Sequence, residues 1–234
     1  MSDPTKPIEF GVLLPHKYQL LDAIGPTDFI NNLSYGNLSG FDFVTVPEAI
    51  LKKAPIINWH WISAVGDLKP VTASIGPPFT PTATFESAPQ LDYLLCPGPD
   101  PTLLLSDEAK AWIKGQFPGL KGLLTVCTGS MFLAQTGLLD GVQAATNKFA
   151  LKAIVDEGKY DQFSKVKWVP DSRFVKDGKI WTAAGITAGI DLGAEFSRVH
   201  FDNDLVTMNE LGAEYQPLPA KPDAFAYILQ GVRL

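Results

Sequence analysis

Cys127 is the side chain in this sequence best suited to covalent chemistry. It stands in Val126-Cys127-Thr128-Gly129-Ser130, after an apolar run opened by Gly122 and before Ser130-Met-Phe-Leu-Ala-Gln-Thr-Gly-Leu-Leu. The first run has strand character, and the second has an apolar repeat near three to four, as a helix does. Cys127, Thr128 and Gly129 leave room only for a sharp strand-to-helix turn, which lifts its first side chain above the sheet edge as a nucleophile elbow does. A nearby helix N-terminus is expected to favour thiolate and lower the thiol pKa. A buried structural thiol is the alternative, because free cysteine is among the most buried residue types. The strand–turn–helix context favours the nucleophile. Cys96, inside the apolar run from Leu91, reads as packing.

A thiol nucleophile needs a group to move protons. Asp22 follows the first apolar run, and two readings of it stay open. It is an exposed loop acid or Asx-turn former, or a carboxylate at the carboxyl end of the first strand, where open α/β sheets place their ligand sites. The histidines are His16, His60 and His200. His16 reads as an exposed loop residue and His200 as structural, near a helix end. His60 lies between two tryptophans, but period-two alternation sets it on the opposite face from both, so it too reads as structural. Gly98, in Pro97-Gly98-Pro99-Asp100, brings bare backbone close to a ligand and offers an oxyanion-donating N–H. An ordinary turn is the alternative, and Pro99 has no N–H to add.

These residues need elements to carry them. Ile8–Leu14 reads as a central strand, and the loop Pro15 to Leu21 delivers Asp22. Gly25-Pro26 then opens a helix at about Thr27, since proline suits a first turn. Phe41–Val46 has strand character, 47–53 suits a single helical turn, and Trp59–Val65 is a strand. The residues lining a pocket are expected from the 31–58 segment. Val71–Ile75 and Thr80–Phe85 are proline-flanked and suit edge strands or a hairpin beside the main sheet. Leu91–Cys96 is a core strand, and Ser106-Asp107-Glu108 caps a helix running to about Gln116. Gln143–Thr146 is extended, Asn147 caps a helix to Val155, and Val166–Val169 is a strand. Lys176-Asp-Gly-Lys179 is a hairpin turn, followed by helices from about Thr187 to Phe201 and from Leu205 to Gly212. Strands alternating with helices give an α/β fold, a mostly parallel sheet with helices on both faces. One domain is expected, with a core over about 8–215 and a tail over 216–234 that packs on the domain or on a partner subunit.

Composition narrows the function classes. The 234 residues are 46% hydrophobic and 19% charged, with a net charge of −6, which suits a chain with a sizeable core and offers no basic footprint for nucleic acid. No apolar run reaches bilayer length. The polar Met1-Ser-Asp-Pro-Thr-Lys-Pro7 lacks the apolar stretch of a secretion signal. Two cysteines make neither a disulfide framework nor a zinc cluster. A reducing, cytoplasmic setting is expected, with a small-molecule substrate, no metal and no cofactor.

Val126-Cys-Thr-Gly-Ser130, with Gly137-Leu-Leu-Asp-Gly141 downstream, resembles the ThiJ/PfpI superfamily. Leu21-Asp-Ala-Ile-Gly-Pro26 and Ala184-Gly-Ile-Thr-Ala-Gly-Ile-Asp191, with similar strand spacing between them, extend the likeness from about Ile8 to Tyr215 and draw it nearest to the isocyanide hydratases. The resemblance implies a flavodoxin-like three-layer sandwich related to class I glutamine amidotransferases, and a homodimer. It implies Cys127 as nucleophile and Asp22 as the acid that contacts the thiol. Thr128 is implied beside the nucleophile, its N–H and that of Gly98 facing the reacting group, with Ile186 and Thr187 on the loop that lines the site. Hydratase chemistry joins nucleophilic and general acid–base catalysis. The thiolate attacks the terminal carbon of an isocyanide, and water then releases an N-substituted formamide from the thioimidate.

Two departures stand out. Asn147 falls where many relatives have a histidine, which disfavours a Cys-His amidase or protease, and Pro99 falls where a second glycine is common. Behind the hydratase expectation stand a glutathione-independent, glyoxalase-like or other lyase reaction on a small carbonyl or biosynthetic intermediate, and a non-catalytic redox sensor built on an oxidisable thiol.

Overall fold

Strands buried on both faces read as unbroken apolar runs, whereas edge strands alternate. The computed structural model describes residues 6–42 and 44–234. It contains β1 (Ile8–Leu14), β2 (Ile57–Ser63), β3 (Tyr93–Cys96), β4 (Gly122–Thr125), β5 (Gln143–Ala144), β6 (Lys167–Trp168), β7 (Phe174–Asp177) and β8 (Ile180–Ala183). β3, β4 and β8 are buried throughout, and β1 nearly so. They form the centre of a six-stranded sheet of order β2-β1-β3-β4-β8-β7, with β5 and β6 paired separately. All neighbours in the larger sheet are parallel except β7 and β8, the hairpin expected at Lys176–Lys179.

Eight α-helices among the described residues complete the fold: α1 (Leu20–Asn31), α2 (Tyr35–Leu38), α3 (Glu48–Leu51), α4 (Asp107–Gln116), α5 (Gly129–Ala134), α6 (Lys148–Asp156), α7 (Ala188–His200) and α8 (Asn203–Gly212). Alternation along each strand divides the core. Val12, Leu95 and Leu124 face α1 and α7, meeting Ala23, Ile30, Leu192 and Phe196. Leu13, Leu94 and Leu123 face the other way, toward Ile113 of α4, Met131 of α5 and Leu151 of α6. The result is a flavodoxin-like three-layer α/β sandwich with a mostly parallel sheet. No helix among the described residues is long and apolar enough to cross a membrane.

Several expectations are corrected. α1 begins at Leu20, not near Thr27, and runs through Pro26, so Asp22 lies in its first turn rather than in a loop. Burial of Ala23 and Ile30 under the sheet offsets the lost proline N–H. Phe41–Val46 forms no strand among its described residues; Val46 packs instead with Leu33, Leu38 and Leu205. Residues 71–85 form only isolated bridges, Tyr18 with Ala73, Val71 with Phe79 and Ile62 with Ala83. Phe43 and the first five residues of the polar amino-terminal segment lie outside the described residues.

Candidate active site

β1, β3, β4 and β8 run parallel, so their carboxyl ends share one edge of the sheet. The chain direction across the sheet reverses between β1 and β3, and open α/β sheets bind ligands at such a switch point. The candidate residues lie just past these four ends. Asp22 follows β1, Gly98 follows β3, Cys127 and Thr128 follow β4, and Ile186 and Thr187 follow β8.

Cys127 occupies the left-handed region, with φ of 58°, a conformation that costs a side-chain-bearing residue on the order of 1–3 kcal/mol. Its surroundings hold it there. The Cys127 N–H donates to the carbonyls of Ala183 (3.1 Å) and Ala184 (2.8 Å). Its own carbonyl accepts from Thr146 Oγ1 (3.0 Å) and Ser130 Oγ (3.2 Å). A Cβ at Gly129 would lie 2.3 Å from the Cys96 carbonyl oxygen, so the elbow packs directly against the end of β3.

Three donors converge on the sulfur. Asn147 Nδ2 lies 3.2 Å from Sγ, and the N–H groups of Thr128 and Ile186 also reach it. The Asn147 orientation follows from local structure. Its Oδ1 caps α6 by accepting the Ala150 N–H at 3.0 Å, which leaves the NH₂ for the sulfur. Asn147 thus stands at the position where a histidine was the alternative. Among the described residues no histidine does so. His16 is exposed, and His60 pairs with Glu9 at 2.5 Å. His200 packs among Tyr93, Trp181 and Phe196, where burial pushes its pKa down to about 4.

Asp22 is fully buried. Its Oδ2 accepts the Gly98 N–H at 3.0 Å, while Oδ1 has no hydrogen-bond partner among the described residues. The N–H expected as an oxyanion donor therefore serves the carboxylate, because α1 brings Asp22 directly over the Gly98 turn. The approach is close: a Cβ on Gly98 would lie 2.5 Å from Thr128 Oγ1 and 2.9 Å from Asp22 Oδ2. Thr128 Oγ1 donates to the Pro99 carbonyl at 2.5 Å, so Pro99 anchors the elbow through its C=O. Thr187 Oγ1 accepts from Arg173 Nη2 at 3.4 Å and its side chain does not reach the sulfur.

The electrostatics overturn one expectation. Burial, and next the Asp22 charge, push the Cys127 thiol up to about 11, against the lowering effects of Asn147, the Thr128 N–H and the Ile186 N–H. α5 has only six residues, too short for its dipole to outweigh desolvation. Burial likewise raises Asp22 to about 7, partly offset by the Gly98 N–H and the Cys127 thiol. Near neutral pH the pair keeps a proton on sulfur beside a carboxyl that is about half ionised. The arrangement suits transfer of the thiol proton to Asp22 as the sulfur attacks an electrophile.

A cleft of about 330 Å³ opens beside this cluster, between the turn after β8, the start of α6 and the C-terminal tail. None of its lining comes from residues 31–58, where pocket residues were expected; that segment packs with α8 and lines a separate cleft of about 330 Å³ there. The tail packs on the fold. Asp223 pairs with Lys148 at 2.5 Å, both side chains buried. Leu218 N–H and the Tyr215 hydroxyl donate to Asp191, which also pairs with Arg173. Lys148 and Asp223 were not recognised as neighbours of the site from sequence, and Asn147 was placed there only as the residue standing where relatives have a histidine, not as a donor to the sulfur. The capping position of Asn147, after an extended segment, was the available signal.

A family model described as the DJ-1/PfpI family matches residues 12–199. The chain belongs to the DJ-1/PfpI family. An isonitrile (isocyanide) hydratase of Pseudomonas putida is 30% identical over 215 residues, covering 91% of this chain and 80% of that protein. The HTH-type transcriptional regulator CdhR of Pseudomonas aeruginosa is 33% identical over 159 residues, and the match spans only 45% of its length. Among solved structures, a ThiJ/PfpI family protein from Pseudomonas syringae has a TM-score of 0.70 at 23% identity, over 92% of this chain and 78% of that one. Drosophila melanogaster DJ-1beta has a TM-score of 0.67 at 14% identity, over 90% of this chain and 100% of that one. This DJ-1/PfpI chain thus shares its fold with proteins of different roles, and what distinguishes its activity lies in its own site.

Proposed function

We propose that this protein hydrates an isocyanide to an N-substituted formamide, with Cys127 as nucleophile and Asp22 as general acid and base. The observation that carries the reading is the buried carboxyl of Asp22, raised to about 7, facing a thiol that three donors surround. The likeness to an isonitrile hydratase over 91% of the chain supports the substrate class.

The chemistry follows from where the protons sit. Ionised Asp22 takes the thiol proton as Sγ bonds to the terminal isocyanide carbon, and protonated Asp22 then delivers that proton to the same carbon. This yields a thioimidate, R–N=CH–S–Cys127. Asp22 next takes a proton from water as the hydroxyl adds to the thioimidate carbon, and the nitrogen gains that proton. Collapse of the adduct breaks the C–S bond, releases R–NH–CHO and returns the hydroxyl proton to sulfur. One isocyanide and one water give one formamide. Asn147 Nδ2 and the Thr128 and Ile186 N–H groups stabilise the charge that develops on sulfur.

The redox-sensor reading has less support, because a buried thiol raised to about 11 is mostly protonated at neutral pH and oxidation needs thiolate. The test is formamide production from a simple aryl isocyanide. Turnover by the wild type, loss in Cys127→Ala and a steep fall in Asp22→Asn are expected. Turnover that persists in Cys127→Ala would reject the mechanism.

A further inference from the structure

We propose that the cleft beside Cys127 is a subsite for an uncharged aryl or bulky alkyl substituent of the substrate, with Phe149 and Phe225 as the residues that select it. The identity of the reacting group rests on the hydratase reading; the subsite rests on the cleft itself.

The cleft lies next to residues that contact the sulfur. Asn147 and Ile186, which line it, are two of the three residues whose N–H groups reach Cys127 Sγ. An isocyanide is linear from its terminal carbon through nitrogen to the substituent, so the substituent must be housed two bonds beyond the carbon that meets the sulfur. The cleft of about 330 Å³ gives that substituent a place to go.

Its walls lack an unpaired charge. Lys148 is held by Asp223 at 2.5 Å and the Ser172 carbonyl at 3.0 Å. Arg173 is held by Asp191 through Nη2 at 2.5 Å and Nε at 2.8 Å. A charged substituent would lose hydration without gaining a free counter-charge, which is unfavourable. A neutral apolar one loses only contact with water, which is favourable.

The apolar surface on offer is large. Phe149 is 76% exposed at the start of α6, and Phe225 is 54% exposed on the tail, with Ile228 beside it. Neither ring is needed for the core. The tail that carries Phe225 is fastened, because the Ala220 carbonyl accepts the Arg173 N–H at 2.8 Å and Asp171 Oδ1 accepts the Asp223 N–H at 2.9 Å. The wall is therefore a fixed part of the site.

The experiment has two arms. The first needs no turnover: labelling of Cys127 by N-benzyliodoacetamide, iodoacetamide and iodoacetate, followed by peptide mass mapping and normalised to rates with free glutathione. The benzyl reagent is expected to label at least about tenfold faster than iodoacetamide, from burial of one ring, and iodoacetate to be the slowest. Phe149→Ala with Phe225→Ala should abolish the benzyl preference, and both positions are exposed enough to leave folding intact. Equal normalised rates in the wild type, or a preference that survives the double variant, would overturn the subsite.

The second arm compares benzyl isocyanide with isocyanoacetate. The benzyl compound is expected to have the higher kcat/KM, and the double variant to raise its KM while leaving kcat nearly unchanged. Turnover of neither compound, with the labelling preference intact and lost in the double variant, would reject the hydratase reading and retain the subsite. Turnover of both at equal kcat/KM, with no labelling preference, would reject the subsite and retain the hydratase.

Discussion

Asp22→Asn is expected to make the protein more stable at mildly alkaline pH while removing its activity. Asp22 is fully buried, and burial raises its pKa from 3.8 to about 7, against the Gly98 N–H and Cys127, which lower it. The folded chain thus binds this proton more tightly than the unfolded chain does. The resulting stability is fully present below the unfolded pKa, near 4, and is lost as pH rises through about 7. Three pH units at about 1.4 kcal/mol each give on the order of 4 kcal/mol over the whole span. Between about pH 5 and about pH 8, roughly 3 kcal/mol of it is lost. The asparagine keeps an acceptor for the Gly98 N–H and does not titrate. Urea unfolding of wild type and variant across this range should give stabilities that diverge by roughly 3 kcal/mol, the variant being favoured at the alkaline end. All other titrating groups are common to both proteins, so the difference reports Asp22. Parallel stability curves would refute the reasoning and return Asp22 to an ordinary carboxylate pKa.

Three further outcomes test the surroundings of the pair. Asn147→Asp keeps the α6 cap but replaces the sulfur's donor with a carboxylate, so iodoacetamide labelling of Cys127 at neutral pH should slow by about tenfold or more; Asn147→Ala should also lose about 1 kcal/mol of stability with the cap, read by denaturant unfolding. Gly98→Ala puts a methyl 2.5 Å from Thr128 Oγ1, 2.8 Å from Thr128 N and 2.9 Å from Asp22 Oδ2. A loss of about 1–3 kcal/mol is expected, together with lower turnover, measured on one preparation. Lys148→Met strands the buried Asp223 carboxylate and should cost about 3–5 kcal/mol, and adding Asp223→Leu should recover most of that in urea unfolding.

Features encoded in adjacent residues were legible in the sequence. Buried apolar runs mark the parallel strands, Lys176–Lys179 marks the hairpin, and Cys127-Thr128-Gly129 marks the elbow, because each pattern is complete within a few positions. α1 was misread because its start carries no capping side chain: Gln19 makes no cap hydrogen bond, and Pro26 imitates a first turn from inside the helix. Phe41–Val46 shows that an apolar run specifies burial but not a partner; its described residues lie against α2 and α8 rather than the sheet. The thiol pKa was misjudged by a local argument from the helix terminus. Burial and the charge of Asp22, which is more than a hundred positions away in sequence, decide it. Phe225 and Asp223 join the site through contacts such as Asp223 with Lys148, 75 positions apart, and no pattern local to the tail announces such a contact.

The covalent step is the centre of the account, and one measurement reaches it directly. Wild-type protein would be mixed with excess benzyl isocyanide, quenched rapidly, and its intact mass and Cys127 peptide recorded at successive times, beside Cys127→Ala and Asp22→Asn. An adduct equal to the mass of one isocyanide on Cys127 is expected, absent in Cys127→Ala and short-lived in the wild type as formamide appears. Asp22→Asn lacks the base for both the thiol and the water step and should form the adduct much more slowly. Formamide production by the wild type with Cys127 unmodified at every time point, and undiminished in Cys127→Ala, would contradict it.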